Sequence, residues 1–275
     1  MTGLVQSFAT VARAYRHHSV DAQVAAWLRQ VVEPHAELYE SVEAWIDLNE
    51  AAQRLPHVIR RADSFVASER RALAAVDEAE KLLSRVIRID QPIRTVVLVG
   101  LGQANGWVAE VRDAPTLFLA VENLPDPPFD VILAMHEIVH LLHARRAARD
   151  WPRDRVDADL FREGLAVHTT STLLPAIEPS GHLWFRPGEQ RWISTCEAMS
   201  SQLRSRALAE LDRTDASAQW FSGAADRGGF PGRCGYWLGW RLVERMAATG
   251  SLDAAFGWPL IDVGVRLRDA LEVPR

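Results

Sequence analysis

His136-Glu137-Ile138-Val139-His140 is the stretch on which the reading of this chain turns. On a helix, residues four apart lie one turn apart on the same face, so both imidazoles can reach a single metal ion. Glu137 leaves the helix at an adjacent angle, where a carboxylate can take a proton from metal-activated water. Each fixed position of this His-Glu-x-x-His pattern therefore has a mechanical reason in zinc hydrolases. Chance would produce it in roughly two chains per hundred of ordinary globular composition, so the surrounding sequence must carry part of the argument.

That surrounding sequence predicts a buried helix. Pro127-Pro128 stops what precedes, Asp130 is a candidate N-cap, and 131–148 contains no Gly or Pro. Val131, Ile132, Met135, Ile138, Val139 and Leu142 make a broad apolar surface. Polar side chains inside such a helix need partners, either a metal or a backbone carbonyl for each histidine. A catalytic zinc takes three protein ligands and leaves one position open. The extension H-E-x-x-H-x-x-G-x-x-H is absent, because His143 and Arg146 stand where its glycine and third histidine belong. The other solution draws a glutamate from the next helix. A second helical pattern, from about Val156 to Leu173, contains Phe161-Arg162-Glu163-Gly164-Leu165-Ala166. The rise of about 1.5 Å per residue lets Glu163 come level with the histidines. The metal expectation is thus Zn2+ on His136, His140 and Glu163.

HEIVH followed by EGLA resembles the glutamate-ligand zincins, the gluzincin type, and within them the predicted zinc-dependent proteases grouped around the DUF2268 and peptidase-MA-like domains. Gly235-Tyr236-Trp237-Leu238-Gly239 is similar to the Gly-Tyr-x-x-Gly helix that follows the metal motifs in that group. The resemblance spans about residues 94–250 and rests on three short motifs in order. It implies zinc on His136, His140 and Glu163, Glu137 as general base and acid, and Tyr236 as an oxyanion donor, although a tyrosine there can equally pack. One departure is plain. Val167 stands where thermolysin-like enzymes carry an aspartate behind a ligand histidine. Asp159 reads as solvated or capping, His143 as an outer partner or substrate contact, and His168 as structural.

The rest of the chain sets bounds. With 275 residues, 48% hydrophobic and 24% charged, it has the composition of a soluble protein with ample core. A net charge of −5 and the lack of a basic stripe speak against nucleic acid as a partner. No run is long enough for a membrane span, and no signal peptide is apparent. Cys196 and Cys234 have no metal-pair spacing and read as reduced thiols, which points to the cytoplasm. Residues 1–90 read as a helical lobe. One apolar stripe (Val24, Trp27, Leu28, Val31) ends near Pro34, and a second (Leu38, Val42, Trp45, Ile46, Leu48) ends before Pro56. A long helix then runs from Val58 to Ile89. Three strands follow, at 94–99, 107–111 and 116–121, while Gly100, Gly102 and Gly106 read as turn residues. Beyond Glu163, Trp192 to Leu211 reads as another helical stretch, and Asp212 to Arg233 as a glycine-rich loop. Trp184 is a guess for a cleft-facing ring.

The fold expected is α+β and zincin-like: mostly helical, a small β-sheet before the HExxH helix, and an N-terminal helical lobe, divided as 1–90 and 91–275. The function expected is hydrolysis of a peptide or protein substrate. The alternative is a catalytically idle zinc-binding or interaction module on the same fold. The sequence does not address oligomeric state.

Overall fold

The computed structural model describes residues 3–43, 48–102, 104–147, 151–152, 154–223, 229–248 and 250–272, with side chains omitted for 40–49 and 51. Residues 1–81 with 91–141 form one compact unit, and 82–90 with 142–275 another. The expected division into a helical lobe, 1–90, and a zincin-like domain, 91–275, stands as an expectation.

The first unit opens with helices α1 (Leu4–Tyr15), α2 (Val20–Trp27), α3 (Ala36–Glu43), α4 (Leu48–Arg61) and α5 (Phe65–Leu83). Val5, Phe8, Val11 and Ala12 bury one face of α1, and Phe8 meets Phe65 at 6.1 Å between ring centroids. Three sequence boundaries are corrected here. The chain does not stop at Pro34: a π turn (Leu28–Val32) and a 3-10 turn (Glu33–His35) lead directly into α3, and a proline early in a 3-10 turn lacks only a donor that has no acceptor there. Pro56 lies inside α4 rather than after it. The long helix expected from Val58 to Ile89 is broken by a 3-10 turn at Ala62–Ser64, where the Ser64 hydroxyl donates to the Arg61 carbonyl at 2.9 Å, and α5 ends at Leu83. The second expected apolar stripe falls largely on Val42, Trp45, Ile46 and Leu48, whose side chains lie outside the described residues.

A three-stranded sheet follows: β1 (Thr95–Leu98), β2 (Gly106–Val111) and β3 (Ala114–Ala120), in the order β1-β3-β2. β3 is parallel to β1 and antiparallel to β2. Val96 to Leu98 and Leu117 to Ala120 are all buried, as strands covered on both faces should be. Trp107 and Phe118 are direct cross-strand partners with rings stacked at 5.2 Å. Arg112 and Asp113, both with positive φ, close the hairpin in the left-handed geometry that matches strand twist. The Glu37 carboxylate grips the Arg112 guanidinium at 2.5 and 2.7 Å, which holds Glu37 below its usual pKa.

The sheet leads into α6 (Phe129–Arg146), one unbroken helix that begins in the first unit and ends in the second. Ile132 to Met135, Ile138, Val139, Leu141 and Leu142 are 2% exposed or less, so this helix is apolar nearly all round, as predicted. Asp130 sits inside its first turn rather than before it, accepting from Val131 N at 2.9 Å and facing Arg71 Nε at 3.3 Å.

Among its described residues the second unit holds helices and no strand. It contains α7 (Val156–Leu173), α8 (Pro179–Trp184), α9 (Gln190–Ala198), α10 (Ser200–Glu210), α11 (Ser217–Phe221), α12 (Cys234–Ala247), α13 (Leu252–Ala255) and α14 (Leu260–Glu272). Two expectations are refined. The helical stretch from Trp192 to Leu211 is two helices, joined at Met199. The expected loop 212–233 contains α11, with 224–228 outside the described residues. A mostly helical α+β fold with a small sheet directly before the HExxH helix is thus observed. Among the described residues no helix is long and apolar enough to cross a membrane.

Candidate metal centre

α6 presents His136 and His140 on one face, as the four-residue spacing requires. Their Nε2 atoms stand 3.0 Å apart, and the rings meet at 84° with centroids 4.7 Å apart. Two imidazoles on one tetrahedral zinc, each at about 2.0–2.1 Å, would hold their nitrogens about 3.3 Å apart. The pair is therefore close to the spacing that a shared ion demands. His136 is buried; His140 and Glu163 are half-buried.

Glu163 is brought in by α7. The start of α7 is docked by backbone bonds from Val156 N to Arg213 O and Asp157 N to Leu211 O, at 3.1 and 3.0 Å. The buried Asp157 carboxylate accepts from Ala158 N at 2.7 Å and from both ends of the Arg155 guanidinium at 2.7 Å. The last turn of α6 packs on the same helix, with the His143 ring edge-on to Trp151 at 4.6 Å and 5.8 Å from Phe161. The outcome is that His136, His140 and Glu163 each offer a ligand atom, and these atoms all lie within 4.8 Å of one another. This group can hold a metal ion.

Two glycines show how tightly the centre is built. A Cβ on Gly164, next to Glu163, would stand 2.3 Å from the Gly239 carbonyl carbon, and one on Gly239 would stand 2.3 Å from the Leu160 carbonyl oxygen. The backbones of α7 and α12 therefore touch where Glu163 emerges. The first glycine of Gly-Tyr-x-x-Gly has its own steric reason, since a Cβ on Gly235 would meet the Phe221 ring at 2.8 Å. Gly106 is a correction. It is a strand residue, not a turn residue, and its missing side chain makes room for the general-base candidate. A Cβ there would stand 2.8 Å from Glu137 Cγ and 3.0 Å from Leu119 Cδ2. Gly102 is the true turn residue, with φ of 76°.

The loop that delivers Gly106 is pinned by groups the sequence reading passed over. The buried Glu122 carboxylate accepts from Gly102 N at 2.8 Å, Arg54 donates to Gly102 O at 2.8 Å, and Asn123 donates to Ala104 O at 2.9 Å. Burial raises the Glu122 pKa, against the pull of the Gly102, Glu122 and Gly100 backbone amides and of Arg61. An acidic residue directly after the apolar run 117–121 was the available signal for it. On the expectation that Glu137 is the base of a zinc peptidase, Gly106→Ala should leave zinc stoichiometry unchanged and lower kcat by about 100-fold, since misplacement of a reacting group by about 1 Å costs that much. Kinetics beside metal analysis checks this, and an unaltered kcat would dissociate Gly106 from the base.

The remaining candidates separate cleanly. Asp159 is not solvated: Arg162 and the Ser217 hydroxyl both donate to its carboxylate, and burial raises its pKa despite them. His143 sits in an aromatic cluster of Trp151, Phe161 and Trp258, which is a packing position. His168 is half-buried, and its pKa is lowered by desolvation against the opposing pull of Glu244. Tyr236 lies one turn before Gly239 on α12, with its ring edge to Phe221 at 5.2 Å and under the Arg233 guanidinium at 4.2 Å. Trp184 packs edge-on against Trp192 at 5.3 Å, between two arginines. Burial pushes the Cys196 thiol up to about 12, so no nucleophilic thiolate exists there at neutral pH. No protein-family model, curated protein or solved structure matches this chain.

Proposed function

We propose that the protein is a zinc-dependent peptidase of the gluzincin type. The observation that carries this reading is the convergence of one ligand atom each from His136, His140 and Glu163, with Glu137 beside the first of them and lodged against Gly106. The donor set fits zinc, because two imidazoles and one carboxylate are borderline-hard ligands in the number a catalytic zinc takes. A structural zinc would be closed by four protein ligands and would have no use for a base.

Zinc, when bound, supplies a Lewis acid that polarises the scissile carbonyl and acidifies water. Glu137 takes the proton of the attacking water and passes it to the leaving amine. Tyr236 donates its hydroxyl to the developing oxyanion. His136 and His140 would hold the ion through the Nε2 atoms that face one another at 3.0 Å, each ring then carrying its proton on Nδ1. A peptide is the substrate favoured by the sheet. β2 is an edge strand whose first residue touches Glu137, so an extended chain added to it would pass the base. The two buried thiols, Cys196 and Cys234, accord with a reducing compartment, the cytoplasm.

Metal analysis of the purified protein tests the centre. The wild type should carry about one zinc per chain, and His136→Ala and Glu163→Ala should each weaken zinc at least as much as the 10- to 100-fold seen for outer-shell changes. Undiminished affinity in Glu163→Ala would remove the third ligand. Zinc binding with no hydrolysis across a peptide library would favour the idle binding module instead.

A further inference from the structure

Arg233 is the residue immediately before α12, and it is held in the left-handed region, with φ of 62° and ψ of 14°. Glycine takes this conformation without strain; arginine does not. Its side chain is held by two aromatic rings and one backbone carbonyl. The guanidinium carbon lies 4.2 Å from the centroid of Tyr236 and 4.7 Å from that of Trp184, so the cation is sandwiched between two aromatic faces. One terminal nitrogen donates to the Leu183 carbonyl at 3.0 Å. The backbone around it is fixed too: Arg233 N donates to Ser222 O at 2.8 Å, and the Trp192 indole donates to Gly232 O at 2.8 Å. Phe221 closes the other side of the tyrosine, edge-on at 82°.

We infer that Arg233 is a positioning residue that holds the Tyr236 ring in place and makes its hydroxyl a stronger hydrogen-bond donor. A cation over the face of a phenol is attracted by the ring's negative quadrupole, and it draws electron density away from the oxygen. An oxyanion donor gains on both counts. It is held without reorganisation, and it binds developing negative charge more tightly. Flanking by Phe221 and the Arg233–Trp184 stack leaves the ring little freedom to turn. The kinetic consequence rests on the peptidase reading and on Tyr236 as oxyanion donor. The holding of the ring does not.

The test has two arms. In the kinetic arm, Arg233→Ala should lower kcat about tenfold with KM and zinc content unchanged. Arg233→Lys, which keeps a cation, should recover much of that loss. In a Tyr236→Phe background the same Arg233→Ala change should cost almost nothing further, because the two residues act as a unit. Additive losses, or a full effect of Arg233→Ala without its hydroxyl target, would overturn the proposal. In the spectroscopic arm, isotope-labelled tyrosine gives three ring signals, one for each tyrosine of the chain, and Tyr236→Phe identifies the one at issue. That signal should move in Arg233→Ala and return toward its wild-type position in Arg233→Lys. A signal that stays put in Arg233→Ala overturns the inference whether or not the protein cuts peptides. A wild type that cuts no peptide, with the signal moving as expected, refutes the proposed reaction and leaves Arg233 as the residue that holds the ring.

Discussion

Glu137→Gln is expected to bind about one zinc per chain and to lose peptidase turnover by about 10²- to 10⁴-fold, the range contributed by a positioned general base. The substitution replaces one oxygen by an amide nitrogen of nearly the same size. The fit of the side chain over Gly106, where an added Cβ would stand 2.8 Å from its Cγ and 3.2 Å from its Cδ, is therefore preserved. What disappears is the ability to accept a proton. Zinc affinity should change little, because Glu137 is not among the three ligand residues. Parallel measurement of metal content and of kcat on a cleavable peptide decides the matter. Turnover at the wild-type rate would refute Glu137 as the base, and loss of zinc along with activity would mean that the carboxylate holds the metal centre together. Only retained zinc with lost turnover supports the mechanism.

The second large effect is structural. Gly239→Ala should destabilise the protein by about 3 kcal/mol, the upper end of what overpacking costs, and weaken zinc binding with it. The added methyl would stand 2.3 Å from the Leu160 carbonyl oxygen and 3.2 Å from Gly164 N, and both obstacles are backbone atoms that cannot rotate away. Relief requires α7 and α12 to separate, and the turn of α7 that meets Gly239 is the turn that carries Glu163. Urea unfolding reports the stability, and a chelator competition reports the metal. Wild-type values in both would show that the helices part without disturbing the ligand. A stability loss with unaltered zinc affinity would show that the turn bearing Glu163 is held independently of α12.

The residues that could hold a metal ion were legible because their logic is local. His136 and His140 are brought together by helix geometry alone, and an apolar sequence from Ile132 to Leu142 is enough to make that helix. The choice of Glu163 needed one further step, a second helix within reach. The strands were legible for a similar reason: runs such as Val96–Val99 and Leu117–Ala120 are apolar throughout and bounded by turn residues. Helix ends in residues 28–65 were not. Pro34 and Pro56 are strong local stop signals, and packing in the first unit overrides both. Asp159 was misread because its partner Ser217 is 58 residues away.

The glycines mark the boundary between the two kinds of information most sharply. From sequence, Gly102 and Gly106 look alike, as do Gly164 and any other glycine in a helical pattern. In the structure, Gly102 is a turn with positive φ, Gly106 clears space for Glu137, and Gly164 lets another helix's backbone through. A missing Cβ has no chemical signature of its own. Its meaning is the identity of whatever occupies the space, and that is decided by chain segments far away in sequence. The sequence by itself thus determined which side chains can bind a metal and which can move a proton, because these are properties of residue type at helical spacing. Only the tertiary structure decided how closely those groups converge and which residues hold them there, because that depends on backbone contacts between elements tens of residues apart.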